Sequence, residues 1–203
     1  MEGRGYRWES AAHNESHGYL LPALHQILAG WRGERRCFDL GCGNGSVAAA
    51  VARRGWRVAG VDPSDEGIAR AREAYPTLDL QQAEANPELV ERFGQFPVVY
   101  SLEVVEHVYA PRVFAQTLHA LTEPGGLAIV STPYHGYLKN LALALSGKLD
   151  AHFTALWDHG HIKFWSVETL TELLREAGFR QIRFERVGRV PPLAKSMIAI
   201  ATR

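Results

Sequence analysis

The chain has 203 residues, 46% hydrophobic and 22% charged, proportions that suit one globular domain with its own apolar core. Its 22 lysines and arginines are balanced by 22 acids, so the net attraction to a phosphate backbone that nucleic-acid binders use is absent. The N-terminal MEGRGYRWES lacks the apolar core of a signal peptide, and no apolar run approaches the roughly 20 residues of a membrane span. A cytoplasmic protein without stable membrane insertion, monomeric or homodimeric, is expected. Cys37 and Cys42 make neither a disulfide framework nor a zinc site and read as free thiols.

Leu20, Leu24, Ile27 and Leu28 recur at helical spacing, so a helix over about 19–29 precedes the sheet, within an N-terminal helical cap spanning 1–33. A first strand runs through Cys37, Phe38 and Leu40, followed by a glycine turn and a helix from Val47 to Arg53. The second strand, WRVAGVD, ends at Asp62, and Ser64 can cap the helix after it. A third strand lies near Leu78–Gln82 and a fourth near Val98–Leu102. Pro111 opens a helix whose inner side carries Val113, Phe114, Thr117, Leu118 and Leu121, and the turn EPGG leads to a fifth strand, LAIVST. Ser166 caps a last helix that Gly178 stops. The strands RQIRFERV and SMIAIAT follow, joined by a segment too short for a parallel crossover, so they must be antiparallel. The expectation is a single α/β domain over 1–203: a Rossmann-like, seven-stranded, mostly parallel sheet with an antiparallel C-terminal hairpin and helices on both faces. Residues 134–165 are too long for a plain loop and read as a lid-like insertion.

The densest signal is FDLGCGNGSV. Gly41, Gly43 and Gly45 stand between a strand and a helix, where backbone bends sharply and a ligand comes close. A dinucleotide fingerprint, G-x-G-x-x-G, needs its third glycine at 46, where Ser46 stands. Asp39, two residues before the first glycine, would be unhelpful beside a pyrophosphate but suits a ligand carrying an ammonium and a sulfonium. Asp62, 17 residues after Gly45, can accept both hydroxyls of a ribose.

The stretch from Phe38 to about Thr132 resembles the class I S-adenosylmethionine-dependent methyltransferases. SLEVVEHVYAP resembles the ubiquinone-biosynthesis O-methyltransferase lineage, a broad group that includes many natural-product enzymes. The antiparallel ending separates such enzymes from nicotinamide-dependent Rossmann oxidoreductases. The resemblance implies a cofactor wrapped by Gly41, Gly43 and Gly45 with its ribose on Asp62. Its adenine would lie near Pro63, Ala83 and Glu84, and its methionine end near Leu102. The lineage also has an arginine before the first strand that reaches the cofactor's carboxylate; here the corresponding stretch offers His13 and His17.

Glu103, Glu106 and His107 follow the fourth strand. In a helix they would share one arc of about 100°, with Val104, Val105 and Val108 on the other side. Two carboxylates and an imidazole can hold a hard cation such as Mg²⁺, which would orient a catechol-like substrate; alternatively His107 acts alone as general base. The resemblance implies the magnesium site. The insertion packs His135, His152, His159 and His161 among aromatic residues, a composition for roofing a small-molecule pocket. His161 joins Glu103 and His107 as a candidate catalytic group, and His159 with His161 reads either as a metal pair or as pocket lining and hydrogen-bonded packing. Leu138, Leu141, Leu145 and Leu149 form a greasy strip, read as a lid packing on the domain or, as the outer alternative, touching a membrane peripherally. The function these readings support is methyl transfer to a small-molecule acceptor, an aromatic, quinone-precursor or natural-product hydroxyl. A non-catalytic cofactor-binding regulatory module and an N- or C-methyltransferase are the alternatives.

Overall fold

The structure, a computed structural model, describes residues 16–153, 155–157 and 160–203. His13 and His159 lie outside the described residues. In chain order the elements are α1 (His17–Gly30), β1 (Arg36–Leu40), α2 (Ser46–Ala52), β2 (Arg57–Asp62), α3 (Asp65–Ala74), β3 (Asp79–Gln82), α4 (Leu89–Phe93) and β4 (Phe96–Leu102). They continue with α5 (Pro111–Leu121), β5 (Thr122–Pro133), α6 (Tyr137–Leu145), α7 (Leu149–Phe153), α8 (Val167–Glu176), β6 (Arg180–Val187) and β7 (Ser196–Thr202). The seven strands form one sheet in the order β3-β2-β1-β4-β5-β7-β6. β1 to β5 run parallel, whereas β7 pairs antiparallel with both β5 and β6.

Because side chains alternate across a strand, each buried strand supplies two cores. Cys37, Val98, Tyr100, Ile129, Ile198 and Ile200 point to one face, where Leu20, Leu24, Val51 and Ile68 from α1, α2 and α3 cover them. Their neighbours Phe38, Val99, Ala128, Val130, Met197 and Ala199 point to the other, under α5 and α8 through Leu118, Leu121, Leu170 and Leu174. The first helix is therefore a wall of the core, and only its start reaches the functional edge. Ser64 and Ser166 cap α3 and α8 as their positions suggest, the latter through a reciprocal pairing with Thr169.

The Glu-x-x-Glu-His segment departs from expectation: it is a tight turn, not a helix. Glu103 adopts φ +54°, which ends β4 abruptly, and its N–H donates to Ser131 Oγ at 3.0 Å. Pro111 then starts α5 at its first position, which disfavours helical geometry just before it. The turn buries two consecutive side chains, Val105 and Glu106, as no single helical face would. The EPGG run is also not a turn ahead of β5. It is carried inside that strand as an irregularity between the Phe96–Thr122 and Val98–Leu127 pairs. The short α4 answers to no periodicity in the sequence.

The insertion folds into α6 and α7, and neither helix buries a residue. α6 turns Lys139, Ala142, Leu143 and Ser146 over the cavity described below, a spacing that keeps them on one face. The leucine strip does not pack on the domain as expected: Leu138 is 55% and Leu145 80% exposed. The insertion is fastened at its ends instead, by buried Tyr134 and buried Trp165. Trp165 Nε1 donates to the Val105 carbonyl at 3.2 Å. The N–H groups of Ile162 and Lys163 both donate to the Glu106 carbonyl, at 2.9 and 3.0 Å. Among the described residues no helix is long and apolar enough to cross a membrane.

Candidate active site

The carboxyl ends of β1, β2, β4 and β5, the start of α1, the insertion and the β6–β7 connection surround an open cavity of about 1620 Å³. Single small-molecule sites run to about 300–1,000 Å³, so this one has room for two ligands side by side.

Its glycine-loop end is held together by Asp62. Gly43 N–H donates to Asp62 Oδ2 and Ser64 N–H to Oδ1, both at 2.9 Å. Burial raises the Asp62 carboxyl above its ordinary range, while those two N–H donors pull it back. A carboxylate has about four lone-pair positions, so two remain for a ligand. Asp39 lies opposite, 2% exposed and lining the cavity. Burial pushes its carboxyl up to about 8; the Tyr100 hydroxyl opposes that rise and nearby Asp62 adds to it. Gly41 (φ +94°) has a packing reason as well as a conformational one: a Cβ there would lie 2.5 Å from Val104 Cγ2. The loop and the Glu-x-x-Glu-His turn are thus in direct contact.

Beyond that turn the insertion returns, and its anchoring to Glu106 carries His161 onto the motif. The His107 and His161 rings meet edge-on with centroids 4.9 Å apart, and Trp157 abuts both. Glu106, His107 and His161 each offer a ligand atom within 4.8 Å of the others. Glu106 is 1% exposed, and neither carboxyl oxygen makes a hydrogen bond. Burial foremost, then Glu103, raises its carboxyl well above the usual range, an effect the Thr132 hydroxyl only moderates. Burial, with His107 and His152 nearby, lowers His161 to about 4. The His161 Nε2 and Glu106 Oε1 atoms approach to 4.0 Å, and burial works against charge on both partners. His107 Nδ1 lies 3.2 Å from the Gly160 carbonyl, which favours a proton on Nδ1 and a lone pair on Nε2.

Glu103 takes no part in this group. Its Oε1 accepts from Ser131 Oγ at 2.8 Å and its Oε2 from Ser196 Oγ at 3.2 Å, and burial raises it to about 7. The three groups that converge thus differ from the expected cation set of Glu103, Glu106 and His107: His161 stands where Glu103 was anticipated. Of the remaining expected positions, Gly41, Pro63, Leu102 and His17 line the cavity. Gly43 and Gly45 shape the loop behind it. Ala83 hangs by its N–H from the Asp62 carbonyl at 3.1 Å, with Glu84 next to it; neither is among the lining residues.

A family model described as a methyltransferase domain matches residues 11–183. The chain belongs to that family. Among curated relatives of this methyltransferase, a ubiquinone biosynthesis O-methyltransferase of Ruegeria pomeroyi is 34% identical over 154 residues, covering 72% of this chain and 60% of the relative. A Pseudomonas aeruginosa protein of the same name is 30% identical over 188 residues, covering 88% and 80%. This chain spans 48% of another such relative, from a Caulobacter species. Among solved structures, a SAM-dependent methyltransferase from Archaeoglobus fulgidus superposes with a TM-score of 0.68 at 16% identity, covering 91% of this chain and 93% of its own. The geometry of the cavity in this methyltransferase also rests on residues that no motif announces. A Cβ on Gly60, in mid-strand, would lie 2.8 Å from the Asp39 carbonyl, so this glycine lets β2 pass behind Asp39. An interior strand glycine is the one legible sign of such an approach. Ser131 and Ser196 carry no sequence signal at all, because they reach Glu103 only through the sheet.

Proposed function

We propose that this methyltransferase moves a methyl group from S-adenosylmethionine to a hydroxyl of a small aromatic acceptor, with His107 receiving the hydroxyl proton. The observation that carries the reading is the placement of the His107–His161–Glu106 group beside the glycine-loop end of a cavity with room for two ligands. The transfer is a direct displacement, so holding acceptor oxygen and donor methyl in line at about 3–3.5 Å supplies much of the acceleration. His107, with Nδ1 steered by the Gly160 carbonyl, keeps Nε2 as the proton acceptor. The names borne by the curated relatives support an oxygen acceptor. Incubation with labelled S-adenosylmethionine and a panel of catechols and phenols should yield methyl ethers; transfer only to amines, or to none, would overturn the oxygen assignment.

The Glu106, His107 and His161 group also fits a divalent cation, since a buried carboxyl with both oxygens unbonded stands beside two imidazoles. Those three residues would hold it. Two nitrogens and one oxygen suit a borderline ion such as Zn²⁺ better than Mg²⁺, which prefers an all-oxygen shell. Such an ion would acidify the acceptor hydroxyl.

Two measurements probe the donor end. Asp62→Ala should weaken S-adenosylhomocysteine by about 1–3 kcal/mol in calorimetry through loss of the ribose bonds, with Asp62→Asn between it and wild type. Unchanged affinity would remove Asp62 from the cofactor site. Asp39, raised to about 8, should be drawn toward its charged form by the ligand's ammonium. Binding then releases a proton, so affinity should climb as pH rises from about 6 to about 8 and then level off. Calorimetry in buffers of different ionisation heat reads that proton directly, and Asp39→Asn should abolish it.

A further inference from the structure

The cavity is divided by charge. Asp39, Asp62, Asp65 and Glu66 line the glycine-loop end, contributed by β1, β2 and α3. The lysine and arginine side chains of the lining all stand elsewhere: Lys139 on α6, and Arg189 and Lys195 on the β6–β7 connection. None of the three has an ion-pair partner among the described residues. Lys139 Nζ donates to the Tyr134 carbonyl at 2.8 Å, and the Lys195 ammonium lies 5.5 Å from the centre of the Tyr19 ring. Glu103 is near enough to be felt by Lys139, but its oxygens are engaged by Ser131 and Ser196. Burial and the repulsion of Arg189 together lower the Lys139 ammonium. Three like charges facing one space, with the serine-bound Glu103 the acid that acts on Lys139 and no ion pair formed to any of the three among the described residues, repel one another until an anion joins them.

We propose that the acceptor itself is an anion, carrying a carboxylate or phosphate that Lys139, Arg189 and Lys195 receive at the end of the cavity opposite the acids. This deepens the methyl-transfer reading and rests on it for the word acceptor, though not for the binding. The division of charge matches the two ligands: a donor with a net positive charge faces the acids, and a negative acceptor faces the cations. His107 and His161 line the cavity too, and His107 follows β4, which stands between β1 and β5 in the sheet; the reacting hydroxyl would sit there. Charge-assisted bonds from lysine and arginine to a carboxylate are the strong class of hydrogen bond, so neutral analogues should be excluded by affinity rather than by shape.

The test is binding to the S-adenosylhomocysteine-loaded protein, read by calorimetry. The probes are 3,4-dihydroxybenzoate, 3,4-dihydroxyphenylacetate and 3,4-dihydroxycinnamate, each beside its neutral amide, with 3,4-dihydroxyphenyl phosphate as the phosphate arm. At least one anion should bind about tenfold or more tighter than its neutral partner, a difference of about 1.4 kcal/mol. Which anion wins distinguishes carboxylate from phosphate. In the double variant Arg189→Gln/Lys195→Gln, both sites being exposed, the ratio should collapse toward one. Arg183→Gln, on β6 and paired with Glu185, should leave it intact. If no anion outbinds its amide, or the ratio survives in the double variant, the proposal is wrong. It is equally wrong if the double variant loses S-adenosylhomocysteine affinity and not the ratio, because the cations would then serve the cofactor's own carboxylate. Anion binding with no methyl transferred to any probe would leave the anion site standing and remove the O-methyltransferase reading instead.

Discussion

His107→Ala is expected to lower kcat by about 10²–10⁴-fold while S-adenosylhomocysteine affinity stays within about twofold, the signature of a lost proton acceptor. The geometry makes the imidazole specific rather than generally basic. The Gly160 carbonyl 3.2 Å from Nδ1 selects the tautomer, and the edge-on His161 ring limits rotation. His161→Ala should therefore also slow turnover, though less. Steady-state rates in a chelator separate two ways of using the group. Activity lost there, and restored by Zn²⁺ more effectively than by Mg²⁺, would mean that Glu106, His107 and His161 act around an ion. Activity retained in chelator but lost in His107→Ala leaves the imidazole working alone. Full activity in the variant under both conditions would remove His107 from the reaction.

Replacing Tyr137–Phe153 with a short Gly/Ser linker is expected to abolish methyl transfer while shifting the thermal midpoint by only a few degrees. No residue of α6 or α7 is buried, so the deletion removes little of the apolar area that stabilises the domain. What it removes is the Lys139–Ala142–Leu143–Ser146 face over the cavity and the water exclusion that face provides. S-adenosylhomocysteine should bind within a few-fold of wild type, since none of the cavity-lining acids near the glycine loop belongs to the insertion. A shortened protein that methylated its acceptor at the normal rate would transfer the task of enclosing the acceptor to the start of α1, where His17 and Tyr19 line the cavity.

The sheet was legible because its signals are local. Alternating apolar residues, serine caps and the short link between the last two strands each depend on a few neighbours, and each led to the element observed. The Glu-x-x-Glu-His segment misled for the opposite reason. Its spacing suits a helical face, but its conformation is decided by Ser131 and Ser196, 28 and 93 residues away, which hold Glu103 at positive φ. A second long-range contact, from the Ile162 and Lys163 N–H groups to the Glu106 carbonyl, brings His161 in beside Glu106, so the grouping of Glu106, His107 and His161 could not be read from spacing along the chain. The leucine strip of α6 failed as a packing signal because helical periodicity identifies an apolar face without saying whether anything covers it.

The insertion is tied at both ends, and none of its described residues between Tyr134 and Trp165 is buried. Tyr134 and Trp165 belong to the core, whereas the helices they bracket contribute nothing to it. Opening that segment consequently requires only a local transition, whose free energy lies far below that of unfolding the sheet. Backbone amides of α6 and α7 should exchange with solvent through excursions that leave the amides of β1, β4 and β5 protected. On the methyl-transfer reading, an acceptor would enter and its product leave on the timescale of those excursions, while Asp62, Asp39 and the glycine loop stay with the sheet. The rigidity that methyl transfer demands and the mobility that exchange of reactants demands would then reside in different stretches of one chain.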